Sequence, residues 1–583
     1  MENLSPRRRL VHRTAVVLAV WYFMSCTTAI VVASGMFQDQ IPKSVSSETY
    51  YKNLIVFSGQ SLTAMSLSDD GSQLNLGAKN GFHILDVSRL GDPSAITNVS
   101  WVSETTVVDE CKMKGKQGWQ CQNFIQVVLK NNATNRLLVC GTNAWAPSCR
   151  NFQPNSLTEY DVFSGLYRCP FSPAQRSTAL FADGALYTAT VTSFTAVDSI
   201  IFRSLQGEAI RTKQVDTKWL KVPEFIKSFE VGEWVIFFLR EIAVEHVNSG
   251  EAIYSRVAKV CKNDIGGSWL LADTWTTFQK ARLNCSFPGA FPFYFNYLQD
   301  VHMVGEGDDV VFYGVFTTGD HEIPGSAVCV FSLAKIKEII NEDKFKAQDS
   351  GTWYPVPVND VPTPRPGICA PDSKDVPDPT LDFILEHPLM DQSVPNLGDD
   401  RPRFDLTRAD YRIMQIVVHQ QRAADNVVYD VLFLGTDDGR VLKVVIVKDT
   451  NGQFRSNLLE EIFISSREDQ EGVVNMEIIK SPNGSEFILV NTNSTLVQLP
   501  LQRCENLKQC ACEQDPYCVF NRVEDECRLF ANNDFDYQDV TNIVDCPEEV
   551  PPTIPCTGTD CDGDNSDSES KNIPTTVVHK VWS

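Results

Sequence analysis

Short apolar runs separated by turn residues recur along most of the chain. Three segments repeat one arrangement, an apolar strand, a turn of small or polar residues and a second apolar strand: residues 74–85, 432–442 and 487–498. This arrangement predicts β-hairpins. Further apolar runs predict strands at residues 136–140, 186–191, 234–238, 310–315 and 411–418.

Strand patterns at this density over residues 50–500 favour an all-β fold. A blade takes roughly 40–60 residues, so a seven-bladed β-propeller is the natural arrangement. A pair of large β-sandwiches is the alternative, although sandwiches of this length normally divide into separate domains. One clear helical pattern interrupts the strands, at residues 333–341, and the proline-rich stretch 356–379 predicts a loop.

The N-terminus has the pattern of a secretory signal peptide over residues 1–35. Four arginines precede an apolar run at 15–24, and small residues allow cleavage after Ala29 or Gly35. The alternative is an uncleaved signal anchor, since residues 15–33 are long enough to cross a bilayer. Because no second apolar span follows, we expect a secreted, extracellular protein, tethered to the cell surface if the natural chain continues into a membrane span.

The charge balance narrows the possible partners. The formal net charge is −23, from 74 acidic and 51 basic residues, which argues against nucleic-acid binding because phosphate backbones require a basic face. The eight histidines are scattered and no Cys-x-x-Cys pair occurs, so we expect no zinc site. Nothing in the sequence indicates a cofactor or a small-molecule substrate.

Most of the 18 cysteines fall into two groups. Six lie close together after the strand-rich region, at Cys504, Cys510, Cys512, Cys518, Cys527 and Cys546. They predict a small disulfide-stapled module over residues 503–547, which would require an oxidising compartment. Residues 548–583 follow as an acidic tail that we expect to be disordered.

The β region holds the second group, an odd number of cysteines, so at least one is unpaired or pairs elsewhere. Cys111 with Cys121 and Cys140 with Cys149 are near enough in sequence to close local hairpins. Four more would form two long-range bridges whose partners the spacing leaves open: Cys261, Cys285, Cys329 and Cys369.

Five N-glycosylation sequons follow the predicted signal peptide, and in a secreted chain they mark exposed turns and edges. They are Asn98, Asn132, Asn284, Asn483 and Asn493.

A series of motifs resembles the sema domain of the semaphorin family. In chain order they are Lys218-Trp219-Leu220-Lys221, the run 238–243, the run Tyr254 to Asp264, Trp275-Thr276-Thr277-Phe278, the run 281–286, Gly325-Ser326-Ala327-Val328-Cys329 and Arg365-Pro366-Gly367-x-Cys369. Asp515-Pro516-Tyr517-Cys518 is similar to the centre of a PSI module. The resemblance covers roughly residues 50–548, and the order of its motifs makes it specific.

The resemblance implies a seven-bladed propeller followed by a PSI module. It also implies disulfide pairs, with Cys169 as the unpaired cysteine: Cys111–Cys121, Cys140–Cys149, Cys261–Cys369, Cys285–Cys329, Cys504–Cys518, Cys510–Cys546 and Cys512–Cys527. Only one residue separates Cys510 from Cys512, where the family usually has two.

The implied function is that of a signalling ligand. Semaphorins bind plexin receptors through the sema domain, act as homodimers and guide axons or migrating cells, in some cases with a co-receptor. The alternatives are a receptor-type sema and PSI fragment, a soluble decoy and a hydrolytic propeller. We expect no enzyme, because the repeated carboxylate motifs of such propellers are missing. For receptor contact we single out the loop-rich stretch 390–408, and within it Arg401 and Arg403.

Overall fold

The computed structural model describes residues 44–46, 52–153, 156–246, 250–398, 401–407, 410–449, 452–464, 471–481, 484–504, 515–521 and 526–530. The chain divides into two compact units, Met1–Ile543 and Val544–Ser583, and all described residues lie in the first. The predicted signal peptide and acidic tail therefore lie outside the described residues.

Seven antiparallel sheets form the described part of the propeller. Two N-terminal strands complete the sheets of the C-terminal end, β1 (Ser44–Ser46) and β2 (Asn53–Val56). Blade 1 contains β3 (Leu62–Leu67), β4 (Gln73–Ala78), β5 (Gly81–Asp86) and β6 (Ile96–Ser100). Blade 2 contains β7 (Ile125–Asn131), β8 (Arg136–Gly141), β9 (Ser148–Phe152) and β10 (Glu159–Ser164). Blade 3 contains β11 (Thr178–Ala182), β12 (Ala185–Val191), β13 (Ser199–Ser204) and β14 (Ile210–Arg211).

Blade 4 contains β15 (Glu224–Val231), β16 (Trp234–Ile242), β17 (Ile253–Cys261) and β18 (Gln279–Arg282). A short hairpin follows, β19 (Ser286–Phe287) and β20 (Phe293–Tyr294). Blade 5 contains β21 (Tyr297–Val304), β22 (Val311–Thr317), β23 (Ser326–Ser332) and, after a second hairpin of β24 (Lys346–Asp349) and β25 (Thr352–Pro355), β26 (Phe404–Leu406). Blade 6 contains β27 (Ile413–Arg422), β28 (Val428–Thr436), β29 (Arg440–Lys448) and β30 (Phe454–Phe463), to which β1 adds in parallel. Blade 7 contains β31 (Asn475–Lys480), β32 (Glu486–Asn491) and β33 (Thr495–Pro500).

The ring closes because the N-terminal strand β2 pairs antiparallel with β33, placing Leu54 opposite Val497. One sheet thus contains both ends of the propeller, which closes the ring and leaves only the short outer edges of the separate blades. This topology confirms the propeller and rules out the sandwich alternative for the described residues. The three predicted hairpins are confirmed as β4–β5, β28–β29 and β32–β33.

The middle strands are buried on both faces because neighbouring blades stack on them. In β12 every residue is buried, and in β16 the run from Trp234 to Leu239 is buried. This explains why these strands appear in the sequence as continuous apolar runs rather than as alternating patterns.

Three α-helices are described, α1 (Thr105–Met113), α2 (Leu333–Asn341) and α3 (Asp378–Glu386). The bounds of α2 match the prediction, and its N-cap Ser332 accepts a hydrogen bond from Lys335 N. The sequence analysis missed α1 and α3. Helix α3 begins beside Pro379, which is favourable in a first turn, but the surrounding prolines concealed it.

The described residues of the predicted PSI module include two strands, β34 (Cys518–Asn521) and β35 (Glu526–Leu529). They pair antiparallel, with Cys518 opposite Leu529. Tyr517 and Cys518 belong to the same buried cluster as residues of blades 6 and 7, so this part of the module packs directly on the propeller.

Candidate receptor-binding surface

Residues 333–403, here called the insertion, connect β23 to β26 and lie over blade 4. The insertion runs parallel to the outermost strand of that blade, with bridges from Leu389 to Lys280 and from Val394 to Leu283. The indole N–H of Trp219 donates to the Leu385 carbonyl at 2.9 Å. A tryptophan of the sema-like motifs therefore anchors the insertion.

A disulfide joins the insertion to blade 4 through Cys261 and Cys369. Beside it, the buried ammonium of Lys259 donates to the Gly367 carbonyl. Burial, together with the charge of Arg365, lowers the pKa of Lys259 to about 7. Lys259, which belongs to the sema-like run, therefore loses its proton near neutral pH, and it does so at the base of the insertion.

Blade 4 contains a buried network of charges. The side chains of Arg256, Glu241 and Lys280 are 0% exposed, and Lys280 Nζ lies 2.5 Å from Glu241 Oε1. Arg256 bonds Glu241 and also Glu245, with 2.6 Å between Arg256 Nη2 and Glu245 Oε2. Burial favours the neutral form of Glu245, but the charge and hydrogen bonds of Arg256 outweigh it and lower the pKa of Glu245 to about 2. Each charge here requires the others, because a lone buried charge is strongly destabilising.

Asp264 has a comparable structural role. Its carboxylate accepts hydrogen bonds from Gly266 N at 2.9 Å, from Thr276 N at 2.9 Å and from the Thr277 hydroxyl at 2.7 Å. The sema-like motifs are therefore mainly internal, and they fix blade 4 and the insertion in place.

Residues 390–408, here called the edge segment, pass from the outer edge of blade 4, where Val394 N donates to the Arg282 carbonyl, to the outer edge of blade 5. Asp391 Oδ1 lies 2.5 Å from Lys346 Nζ, and Asn396 Oδ1 accepts from Val330 N at 2.7 Å. Arg401 has an exposed side chain, while its carbonyl accepts from the Asn396 amide. Residues 399, 400, 408 and 409 lie outside the described residues.

The structure places Arg403 differently from the prediction. Its side chain is buried, its guanidinium lies 3.6 Å from the ring centroid of Phe454 in blade 6, and it donates to the Leu397 carbonyl. We therefore correct the predicted receptor contact: Arg403 packs blade 5 against blade 6 and has almost no exposed surface.

Two strongly exposed apolar side chains, here called the exposed patch, lie on loops that both approach Phe295. Phe291, between β19 and β20, is 91% exposed, and Ile323, between β22 and β23, is 67% exposed. Both loops pack on the buried Phe295: its ring lies 5.2 Å from Phe293, and its edge faces Gly325. The sequence analysis did not identify this patch, although the aromatic run 291–297 was an available signal.

The described cysteines pair as the family resemblance implies. The bonds are Cys111–Cys121, Cys140–Cys149, Cys261–Cys369, Cys285–Cys329 and Cys504–Cys518. Cys527 is also disulfide-bonded, whereas Cys510, Cys512 and Cys546, which belong to the two remaining predicted bridges, lie outside the described residues. Cys169 is a free, buried thiol, and burial raises its pKa.

The sequon asparagines differ in exposure. Asn98, Asn132 and Asn493 are exposed, Asn284 is half-buried, and Asn483 lies outside the described residues. The side-chain Oδ1 of Asn98 lies 2.5 Å from His83 Nδ1, and the side-chain amide of Asn132 donates to the Asp69 carboxylate at 2.6 Å.

The PSI module and the propeller meet at polar contacts. His419 of β27 stacks on Tyr517, with 5.7 Å between ring centroids, and His419 Nδ1 lies 2.7 Å from the Tyr517 hydroxyl. The other ring nitrogen lies 3.2 Å from Glu486. Burial lowers the pKa of His419, although Glu486 opposes this, so the neutral imidazole is favoured. These contacts fix the module against blades 6 and 7.

A family model described as "Sema domain" matches residues 298–480. Human Semaphorin-6A is 38% identical over 556 residues, which cover 88% of this chain and 54% of the relative. The structure of Drosophila Semaphorin 1b, extracellular domains 1-2, superposes with a TM-score of 0.77 at 33% identity, covering 85% of this chain and 97% of that one.

The chain belongs to the semaphorin family.

A further solved structure, Drosophila Plexin A in complex with Semaphorin 1b, contains a chain that superposes with a TM-score of 0.78 at 32% identity. That match covers 86% of this semaphorin and 98% of the other chain. The semaphorin described here spans about half the length of the curated relatives it matches. Across the part of the chain that the structure describes, no helix has both the length and the hydropathy needed to cross a membrane.

Proposed function

We propose that this semaphorin is an extracellular signalling ligand whose propeller binds a plexin receptor. The observation that supports the proposal most is its match, over 98% of the other chain, to a structure that contains Plexin A and Semaphorin 1b. Because the two chains superpose with a TM-score of 0.78, a receptor would meet a surface built on the same scaffold, with the contacts supplied by loops.

The disulfides support the extracellular location. Bonds such as Cys261–Cys369 and Cys285–Cys329 cross-link residues far apart in sequence, and such bonds persist only in an oxidising compartment. The predicted signal peptide would deliver the chain there, and its cleavage stays a prediction.

On this proposal the ligand acts as a homodimer. Large exposed apolar side chains are favourable at an interface between proteins, and Phe291 and Ile323 provide two of them on adjoining loops. A dimer would bring two receptors together, and the second binding event would gain from the high local concentration. Guidance of axons or migrating cells would follow from receptor clustering, with or without a co-receptor.

For the plexin, the proposed contact includes the exposed part of the edge segment around Arg401. Its neighbours Pro402 and Arg403 are held by blade 5, because Arg403 N donates to the Val328 carbonyl at 2.7 Å. A rigid base under an exposed charge favours binding, because little conformational entropy is lost when a partner docks.

The test is a titration of the full chain, purified from the medium of secretory cells, against a panel of plexin ectodomains. Monomer and dimer fractions are separated first. We expect saturable binding to at least one plexin and a slower dissociation rate for the dimer. A folded, disulfide-intact protein that binds no plexin in the panel would overturn the proposed receptor class, and a reduced, unfolded sample is the negative control.

A further inference from the structure

A cleft of about 400 Å³ opens between blades 7, 1 and 2, on the face of the propeller where the innermost strands begin. Thr63 and Gln126 come from the starts of β3 and β7, and Val474 immediately precedes β31. Trp119 and Asn493 also line the cleft, and both are exposed. The cleft adjoins the mouth of the central channel, because Thr63, Gln126, Pro173, Val474 and Asn493 line both spaces.

Trp119 is held in an exposed position. It lies in the loop closed by the Cys111–Cys121 disulfide, and 67% of its surface is exposed. Its indole N–H donates to Gln117 Oε1 at 2.5 Å, which fixes the edge of the ring. A large aromatic side chain held in water by a rigid loop contributes little to the core, and it is typical of a binding surface.

Asn493 is the sequon asparagine that lines this cleft. It lies in a tight turn whose neighbours Thr492 and Ser494 both bond Glu471, at 2.6 Å from the Thr492 hydroxyl and 3.0 Å from Ser494 N. The Asn493 carbonyl accepts from Leu62 N at 2.8 Å, so its backbone is fixed to blade 1. Its side chain is exposed, and the described residues offer it no side-chain hydrogen bond, whereas Asn98 and Asn132 each have one.

We propose that an N-linked glycan on Asn493 occupies this cleft, with a pyranose face of its first N-acetylglucosamine against the indole of Trp119. A pyranose ring has an apolar C–H face and polar edges. The cleft matches this chemistry, because Trp119 and Pro173 are apolar while Lys79 and Gln126 supply polar groups. In the attachment reaction, the Asn493 amide nitrogen bonds to the anomeric carbon of a lipid-linked oligosaccharide, loses a proton and displaces the lipid diphosphate.

This inference depends on passage through the secretory pathway, which the proposed function also requires, but it does not depend on plexin binding. The glycan would cover the channel mouth on this face. A protein partner would therefore bind elsewhere on the propeller.

The test is hydroxyl-radical footprinting of the full secreted chain, followed by peptide mass spectrometry. Glycopeptide mapping should first show that Asn493 carries a glycan. Trp119 should then be oxidised several-fold more slowly in the natural glycoprotein than in Asn493→Gln. Trp269 is the matched internal control, since it is 91% exposed and lies outside this cleft. Trimming to a single N-acetylglucosamine should preserve the protection, and complete removal of the glycan by an amidase should abolish it.

Three outcomes would overturn the inference: an unoccupied Asn493, equal oxidation of Trp119 in both proteins, or protection of Trp119 and Trp269 alike. Loss of protection on trimming would overturn the assignment to the first sugar. Plexin titrations on the same samples keep the two proposals separate, because a protein that binds no plexin can still show protection of Trp119.

Discussion

The ammonium of Lys443 in blade 6 forms an ion pair with the carboxylate of Asp515 in the PSI module. Their side chains are only 1% and 7% exposed. The same ammonium lies 4.6 Å from the ring centroid of Tyr517. A charge taken from water in this way is stabilised only while its partner remains, so this pair fastens the module to the propeller.

We therefore predict that Asp515→Ala loosens the attachment, at a cost of about 3–5 kcal/mol, because it removes the buried carboxylate that faces the Lys443 ammonium. Hydrogen exchange should accelerate at residues 515–530 while blades 1–5 keep their protection. Lys480→Ala is the matched control, because the Lys480 side chain is 75% exposed and its pair with Glu486 contributes little. Equal exchange rates in both variants would contradict a structural role for the buried pair.

We predict that the buried Lys259 makes the free energy of unfolding depend on pH. Its pKa in the folded protein is lowered to about 7 from an ordinary value of 10.5, chiefly by burial. Between these pH values the unfolded chain binds a proton that the folded chain does not, so the free energy of unfolding should rise with pH across this window. Below pH 7 Lys259 is protonated in both the folded and the unfolded protein. The buried ammonium then destabilises the folded protein by its full amount, and this contribution no longer changes with pH.

The measurement is chemical denaturation at several pH values between 6 and 10, for the natural chain and for Lys259→Met, with the disulfides intact. The difference between the two proteins should have a slope of at most about 1.4 kcal/mol per pH unit. A flat difference would show that Lys259 titrates near its ordinary value in the folded state.

Arg401 and Arg403 should respond differently to substitution. We predict that Arg401→Glu weakens plexin binding by about 1 kcal/mol, roughly fivefold, without lowering secretion, because the exposed charge lies at the rim of the proposed contact. Arg89→Glu, an exposed arginine in blade 1, is the control. Unchanged affinity for Arg401→Glu would remove the edge segment from the interface.

Arg403→Ala should instead lower stability and secreted yield, because it removes the guanidinium from Phe454 and leaves the Leu397 carbonyl without this donor. We expect a loss of about 1–2 kcal/mol in the free energy of unfolding. A folded Arg403→Ala variant that lost plexin affinity with no change in stability would support the original hypothesis that Arg403 contacts the plexin directly.

The exposed patch predicts how the dimer forms. Replacing Phe291 and Ile323 together by Ser should shift the protein toward monomer in analytical ultracentrifugation, because the apolar area available for burial is lost. Val215→Ser, another strongly exposed residue at 86%, should leave the association unchanged. A dimer of undiminished affinity in the double variant would place the interface elsewhere.

Much of the fold was predictable because its signals are local. Continuous apolar runs and their turns predict β12, β16 and β28, and the helical pattern of residues 333–341 predicts α2. Helix α3 was missed because proline dominates its neighbourhood. The boundaries between signal peptide, propeller, PSI module and tail stay predictions.

The candidate surface was less predictable, and Arg403 shows why. In sequence it is a charged residue in a polar loop, like Arg401 two positions earlier. Only the approach of blade 6, which brings Phe454 against its guanidinium, makes it a packing residue. Exposure depends on what the rest of the chain places beside a residue, and a local pattern contains no information about that.

The sequence by itself determined the class of molecule, because strand periodicity, cysteine density and ordered motifs are properties of short segments. The tertiary structure decided which residues meet. Asn493 and Trp119 lie far apart in sequence and share one cleft because β2 closes the ring beside blade 1. Lys443 and Asp515 become partners because the PSI module folds back onto blade 6. Such contacts join residues from separate parts of the chain, and a local pattern contains no information about them.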